Sequence, residues 1–307
     1  MSSLLAFFTF LQGDSRLAHA RWEETITLWR EQQNHAALGR ALYFLACTLH
    51  DLGEYCAALD AANESVAVLQ PLGDEAMLGW TLSILGRLMT VNGEYTKAAD
   101  FFEQALAIYQ RLGHQWSISK VKLDMCDLFF ATGEIEHAGT NLEKVLPTFQ
   151  KVDHLWMAAR TLLLLGNVYW LQGSTTRAIE TWNEVTRVAT EIDARLFLAG
   201  NHTMLGFAAQ VQQEPEEAQH HFYDSLRLYQ AIENKIGIAY AVSGLAGLQD
   251  SPIKKVQLLA AASTVLDTAR LPADTIERQH HDRLIEAART QLDQETFTAA
   301  WEMGRSM

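Results

Sequence analysis

The sequence predicts an all-α solenoid of antiparallel helix pairs finished by C-terminal capping helices. Three ladders with a forty-residue step carry that reading. Glycine recurs at Gly13, Gly53, Gly93, Gly133 and Gly173, and is lost only at Gln213. Alanine recurs at Ala18, Ala58, Ala98, Ala138, Ala178 and Ala218 without a miss. A paired ladder runs Leu5-Ala6, Leu45-Ala46, Leu85-Gly86, Met125-Cys126, Leu165-Gly166, Leu205-Gly206 and Leu245-Ala246. A fixed period of this length marks a helical-repeat array, in which each unit packs only on its neighbours.

Each unit reads as two helices, A and B. In the unit 74–113, helix A is predicted over 75–91, with Leu78, Leu82, Leu85, Gly86 and Met89 on one stripe. Asp74 caps its start, and Asn92-Gly93 stops it in the left-handed conformation. Helix B is predicted over 95–111, with Ala98, Phe102, Ala105, Leu106 and Ile108 inward, and Leu112-Gly113 ends it. Gly86, Gly166 and Gly206 are predicted where helix A crosses helix B, which justifies glycine inside a helix despite about 1 kcal/mol each against alanine. The large residue opposite fills the gap: Trp22, Phe102, Leu142, Trp182 and Phe222 share a rung that Ala62 breaks.

The units fall at 34–73, 74–113, 114–153, 154–193 and 194–233, preceded by a partial unit, 1–33. By register, the first helix A would begin about six residues before Met1, so the chain is expected to start inside a repeat with more protein before it; a capping repeat with a shortened helix is the alternative. Helix A of the seventh unit, 235–248, stops early at Asp250-Ser251-Pro252. Ser251 as N-cap and Pro252 at the first helical position start a new helix, 252–269. A loop follows at Leu271-Pro272-Ala273-Asp274, then helices over 275–292 and 294–303. The domain reading is a repeat array over 1–250 and capping helices over 251–307, continuous with the array.

Composition narrows the function classes. The net charge of −13, with pI near 5.3, argues against non-specific binding of nucleic acid or acidic membrane by the body as a whole. The 3 cysteines, Cys47, Cys56 and Cys126, form no zinc-type cluster, and Cys126 occupies a small-residue rung as a packing group. A reducing, cytoplasmic location is expected. Leu4 to Leu11 is apolar but has no basic leader and no small-x-small cleavage site, and is too short to span a bilayer. The paired ladder places it inside a repeat helix.

The repeat resembles the tetratricopeptide repeat. Leu85-Gly86, Gly93, Ala98 and Phe102 match that family's Leu-Gly pair, turn glycine, early alanine and following aromatic, and the set recurs through 1–233. The family's usual unit is about 34 residues, so the helices here are longer. The resemblance implies a tetratricopeptide-like right-handed superhelical solenoid with helix A lining its concave side. The tail adds a second resemblance. Leu258-Leu259-Ala260-Ala261-Ala262, Arg270-Leu271-Pro272, and Phe297 to Met307, with its F-x-x-A-W-x-x-G-R-x-M pattern, look like the end of the repeat region in bacterial signal-transduction ATPases with numerous domains. That family implies an NTPase module ahead of the repeat sensor and a DNA-binding module, often LuxR-type, at one end of the chain. No G-x-x-x-x-G-K-[ST] occurs, so the phosphate cradle of that module is absent from this sequence. Either a sensor portion or a stand-alone relative is implied.

No catalytic constellation is legible, and no enzyme, cofactor or metal site is expected. A G-x-S-x-G motif is missing. His220-His221 and His280-His281 are adjacent pairs, not i, i+4 pairs on one helix face, and are expected as surface or capping groups. His114 and His154 open equivalent helices, and Glu54, Glu94 and Glu134 sit at helix starts, where the dipole favours a carboxylate.

The candidate binding site is the face of the A helices one turn off the buried stripe. One row holds Arg40, Trp80, Lys120 and Arg160; a second holds Cys47, Arg87, Asp127, Asn167 and Phe207; a third holds His50, Thr90, Phe130, Trp170 and Gln210, with Tyr43 nearby. Arg40, Tyr43, Trp80, Arg87, Lys120, Asp127, Arg160, Asn167 and Trp170 are the site residues expected to meet a peptide, a protein or a small anionic ligand. In the other reading, the charges make inter-repeat salt bridges and the aromatics pack on their neighbours. The functional expectation is a non-catalytic sensor scaffold of a signalling ATPase that regulates transcription, its partners including the NTPase and DNA-binding modules of the same full-length chain, with no direct contact to nucleic acid or membrane. The alternative is a free-standing adaptor that docks a peptide segment of another protein.

Overall fold

The computed structural model describes residues 2–11, 15–268 and 275–307. The helices in chain order are α1 (Ser2–Leu11), α2 (Ser15–Glu31), α3 (His35–Asp51), α4 (Tyr55–Leu69), α5 (Glu75–Val91), α6 (Tyr95–Leu112), α7 (Gln115–Ala131), α8 (Ile135–Lys151), α9 (Leu155–Leu171), α10 (Thr175–Glu191), α11 (Arg195–Val211), α12 (Pro215–Ala231), α13 (Lys235–Gly247), α14 (Pro252–Leu266), α15 (Ile276–Arg289) and α16 (Gln294–Arg305). A short 3-10 turn, Gln70–Leu72, extends α4. Among the described residues there is no strand, and the fold is the all-α helical repeat that the ladders predict. Odd-numbered helices from α1 to α13 are the A helices; α2 to α12 are the B helices.

The turns explain the glycine ladder. After α5, Gly93 takes φ +77°, its N–H donates to the Thr90 carbonyl at 3.0 Å, and the Glu94 N–H reaches the Met89 carbonyl at 2.9 Å. That pair of bonds satisfies the last carbonyls of the helix. Gln213 adopts φ +63° at the equivalent position, so the turn survives the loss of glycine, at a strain of about 1 kcal/mol or more. Gly13, the first rung, and the segment from Arg270 to Asp274 lie outside the described residues. The predicted caps are present: Asp74 accepts from the Met77 N–H at 3.2 Å, and Ser251 accepts from the Lys254 N–H with Pro252 at the first position.

Contacts divide the chain into two compact units, Met1–Val168 and Tyr169–Met307. In the first, Ala6, Ala46 and Cys126 are fully buried, as are Phe102 and Leu142. A Cβ on Gly86 would stand 2.8 Å from the Phe102 ring, so the glycine is what lets α5 and α6 approach. In the second, Trp182 and Phe222 are buried, and a Cβ on Gly206 would stand 2.6 Å from Phe222. The end of this unit is built differently. Leu259 on α14, Ala288 on α15 and Phe297 and Ala300 on α16 share one apolar cluster with Ala246 of α13. The Trp301 ring stacks on Phe297 at 5.6 Å. Gly304 is required because a Cβ there would collide with the Gln257 carbonyl of α14. Among the described residues no helix is long and apolar enough to cross a membrane.

Candidate functional site

In the first unit the predicted rows of the A helices converge, but not as free cations. Asp124, one turn along α7 from Lys120, accepts from Lys120 Nζ at 2.6 Å, from Ser83 Oγ of α5 at 2.7 Å and from Arg160 Nη1 of α9 at 2.6 Å. Arg160 Nη2 reaches Asp127 at 3.1 Å, and Asp127 also accepts from Arg87 Nε of α5 at 2.8 Å. Arg87 in turn lies 3.4 Å from His50 Nδ1 of α3, which lies 3.4 Å from Asp51. The chain of contacts runs from α3 through α5 and α7 to α9. Arg87, Lys120 and Arg160 are balanced by Asp51, Asp124 and Asp127.

Burial sets the electrostatics. Lys120 is 7 % exposed, Arg160 9 % and Asp124 1 %. The predicted open stripe of cations is therefore largely an internal ladder of inter-repeat ion pairs. Burial alone would raise the Asp124 carboxyl, but Lys120, Arg160 and Arg87 outweigh it and hold it well below the carboxylate range. Burial likewise works against the Arg87 charge, and Asp127 overcomes it. Burial first, and then Arg87 beside it, lower the His50 imidazole below its ordinary value. Burial pushes the Cys47 thiol up to about 11 and the Tyr43 phenol well above its ordinary value.

Aromatic rings border this ladder. Tyr43 packs on Trp80 at 5.7 Å between centroids, and Trp80 on Trp116 of α7 at 5.8 Å. Trp116 meets His154 at 5.5 Å, and Phe10 of α1 meets Trp156 of α9 at 6.2 Å. The Trp80 indole Nε1 is buried without a hydrogen-bond partner. Arg40 is the predicted cation that stays exposed. Asn167 is half-buried and engaged by its neighbours. Trp170 lies in the second unit, half-buried 5.7 Å from Trp182.

Asp124 and Ser83 were not among the predicted residues. A signal for Asp124 exists: its forty-residue rung reads Phe44, Ile84, Asp124, Leu164, Met204, a carboxylate in an apolar ladder. An ionisable group there must be paired to be tolerated.

In the second unit the same rows of the A helices are covered by α15. The His280 ring stacks on Phe207 at 3.9 Å, and its Nε2 lies 3.0 Å from Gln210 Oε1. His281 is 1 % exposed, held between Ser243 Oγ of α13 at 2.7 Å and Ser263 Oγ of α14 at 2.9 Å. Of this pair, expected as surface or capping groups, His281 is buried and His280 half-buried, because α15 lies against α11 and α13. Burial, followed by neighbouring cations or imidazole, lowers His280 to about 4; burial lowers His281 to about 4, against the pull of Asp282. His220 of the other pair is exposed, while His221 lies 3.0 Å from His202 of α11, Nδ1 to Nδ1. Among the described residues no group of three or more metal-ligating side chains is placed to hold an ion.

A tetratricopeptide repeat family model matches residues 78–112, and a model of anaphase-promoting complex subunit 5 matches 1–49 and 38–92. No curated protein matches the chain in sequence. Solved structures share the fold at low identity. Aspartyl phosphate phosphatase F from Bacillus subtilis is 13 % identical, with TM-score 0.63, over 91 % of this chain and 74 % of that one. The Rap conjugation gene regulator of plasmid pLS20, in complex with the Phr* peptide, is 13 % identical with TM-score 0.62, over 83 % and 76 %. A signal-transduction ATPase with numerous domains and a tetratricopeptide repeat sensor, from Pyrococcus horikoshii, is 12 % identical with TM-score 0.54, over 95 % of this chain. This chain spans about half of that one, 47 %. These likenesses show the fold, a tetratricopeptide-like helical repeat.

Proposed function

We propose that this chain is a non-catalytic, cytoplasmic binding scaffold that takes an acidic peptide or protein segment on the A-helix face of its first unit. The ion ladder from α3 to α9 is the observation that carries the reading. Burying ion pairs is weak support for stability, since apolar replacements of similar volume are often as stable. The ladder therefore calls for another reason, and recognition supplies one. Asp127, 28 % exposed against 1 % for Asp124, is the exchangeable carboxylate. A partner carboxylate taking its place would meet Arg87 and Arg160 already aligned, with Arg40 exposed on the same row and Trp80 beside it.

The fold likeness to a regulator solved with a bound peptide, and to the repeat sensor of a signalling ATPase, supports a place in signal transduction and transcription control. The sensor reading and the adaptor reading separate on the reading frame around this segment: an in-frame phosphate-binding motif upstream favours the sensor. Binding is tested by fluorescence titration of the chain with pools of short acidic, basic and apolar peptides. Saturable binding confined to acidic pools is expected; no saturable binding in any pool would sink the proposal.

A further inference from the structure

The second unit holds a pair of imidazoles that neither the ion ladder nor the packing of α15 uses. His202 of α11 and His221 of α12 face each other Nδ1 to Nδ1 at 3.0 Å, with ring centroids 5.3 Å apart. Both side chains are half-buried, so solvent still reaches them. Their rungs are built differently elsewhere. Buried leucines, Leu42, Leu82 and Leu162, stand forty-residue steps from His202. None of the other repeats sets an imidazole, thiol or carboxylate on that rung or on the rung of His221. A leucine there leaves no polar atom to satisfy, so a facing pair of imidazoles in its place calls for a reason.

The contact dictates where the protons sit. Two neutral imidazoles meet through Nδ1 only if one ring carries its proton there and the other offers a lone pair. His221 turns its Nε2 towards Glu217 Oε1 at 3.8 Å, which favours the proton on that nitrogen and leaves Nδ1 as the acceptor. His202 then donates through Nδ1–H. Once that proton moves to His202 Nε2, both rings stay neutral and present two lone pairs to one point. The spacing suits an ion at that point: nitrogens on a tetrahedral zinc, at about 2.0–2.1 Å each, stand about 3.3 Å apart. Glu217 supplies the carboxylate that commonly lies behind a ligating histidine. Burial first, then His221, lower the His202 imidazole; burial first, then His220, lower that of His221. Neither ring therefore needs to shed a proton charge at neutral pH.

We propose that His202 and His221 form a two-imidazole site for a divalent transition metal ion of the zinc class, with Glu217 behind His221 and solvent completing the shell. Imidazole suits zinc, copper and nickel, and not calcium or magnesium. Two protein ligands supply half of a tetrahedral shell, so the ion is exchangeable rather than structural. It ties α11 to α12, the two helices of one repeat. His220 takes no part, since its Nε2 turns to Asp224 at 3.3 Å. The site is independent of any peptide bound on the first unit.

The test uses the full chain, free of any affinity tag, titrated with Zn2+ alone at neutral pH. Calorimetry should show saturable one-to-one binding in the micromolar range, and zinc should raise the melting temperature. Ca2+ should do neither. His202→Leu restores the residue of the neighbouring repeats; it should weaken zinc binding by about tenfold or more and remove the rise in melting temperature. His220→Gln should keep both. No saturable binding, binding unaltered by His202→Leu, or an equal loss in His220→Gln would overturn the proposal. Should His202→Leu lose its helicity, nitrogen NMR of the unaltered chain decides. Zinc should shift the Nδ1 signals of His202 and His221 and leave their Nε2 protonated; shifts confined to the exposed histidines would overturn it. An absence of acidic-peptide binding sinks the broader reading and leaves this result standing.

Discussion

Asp124 and Arg160 meet at 2.6 Å between α7 and α9, at a rung where adjacent repeats place Ile84 and Leu164. The carboxylate also holds Lys120 and Ser83, so one side chain ties α5, α7 and α9 together. Lys120, Asp124 and Arg160 face one another with little exposed surface. Removing one strands the rest in a place water hardly reaches.

Asp124→Ala should therefore destabilise the chain by about 3–5 kcal/mol, the scale for breaking a buried pair from one side. Replacing Lys120, Asp124 and Arg160 together by Met, Leu and Met should recover most of that loss. Urea unfolding of the unaltered chain and the two variants measures it. Because the folded carboxyl titrates below its ordinary 3.8, its contribution is present above that pH and fades as pH falls below it.

The two histidines of α15 give a second acid response at higher pH. Both are lowered from 6.5 to about 4 in the fold. Their neutral forms are therefore compatible with the fold above pH 6.5, and stability falls as pH drops from there towards 4. The facing groups are Phe207 and Gln210 for His280, and Ser243 and Ser263 for His281, with Arg278, Asp282, Arg283 and Asp267 nearby. Burial outweighs what the amide, hydroxyl and ring partners offer an added proton charge. The loss is on the order of 1.4 kcal/mol per pH unit for each histidine at most. Amide exchange of α15 should accelerate between pH 6.5 and 4.5, and His280→Gln with His281→Gln should flatten the profile.

Most of the fold was legible because a repeat states its packing several times over. The turn glycine, the small residue opposite a ring and the Asp74 and Ser251 caps each follow from a local rule and each is present. The rows of the A helices were legible as rows, since Arg87, Lys120, Asp127 and Arg160 do come together. Their burial was not. Facing the inside of a repeat array looks the same in sequence whether that inside is open or filled, so the inter-repeat salt bridges stood only as the other reading, and Asp124 was not singled out. The seat of α15 was out of reach for a different reason. The tail leaves the forty-residue period, and with it goes the register that says which element a side chain meets.

Gly206→Leu should destabilise the second unit by about 1–3 kcal/mol, because the Phe222 ring that a new side chain would strike is itself fully buried. Gly206→Ala should show a smaller loss in the same thermal melt.

Trp301→Ala should lower the melting temperature through loss of its stack on Phe297, which is also covered by the Arg289 guanidinium at 5.1 Å. A loss of about 1–3 kcal/mol is expected for a half-buried ring. An unchanged melt would mean that α16 contributes no closure to the second unit.

The most direct test of the binding scaffold is a pair of charge reversals of equal size. Arg40→Glu acts on the A-helix face of α3, and Lys144→Glu on the exposed side of α8; both side chains are exposed. The measurement is the affinity of the strongest-binding acidic peptide for the unaltered chain and for each variant. The expected result is a loss of about tenfold, roughly 1.4 kcal/mol, for Arg40→Glu, and little change for Lys144→Glu, with both melts unchanged. Equal affinities for the two variants would contradict the placement of the partner on the A helices.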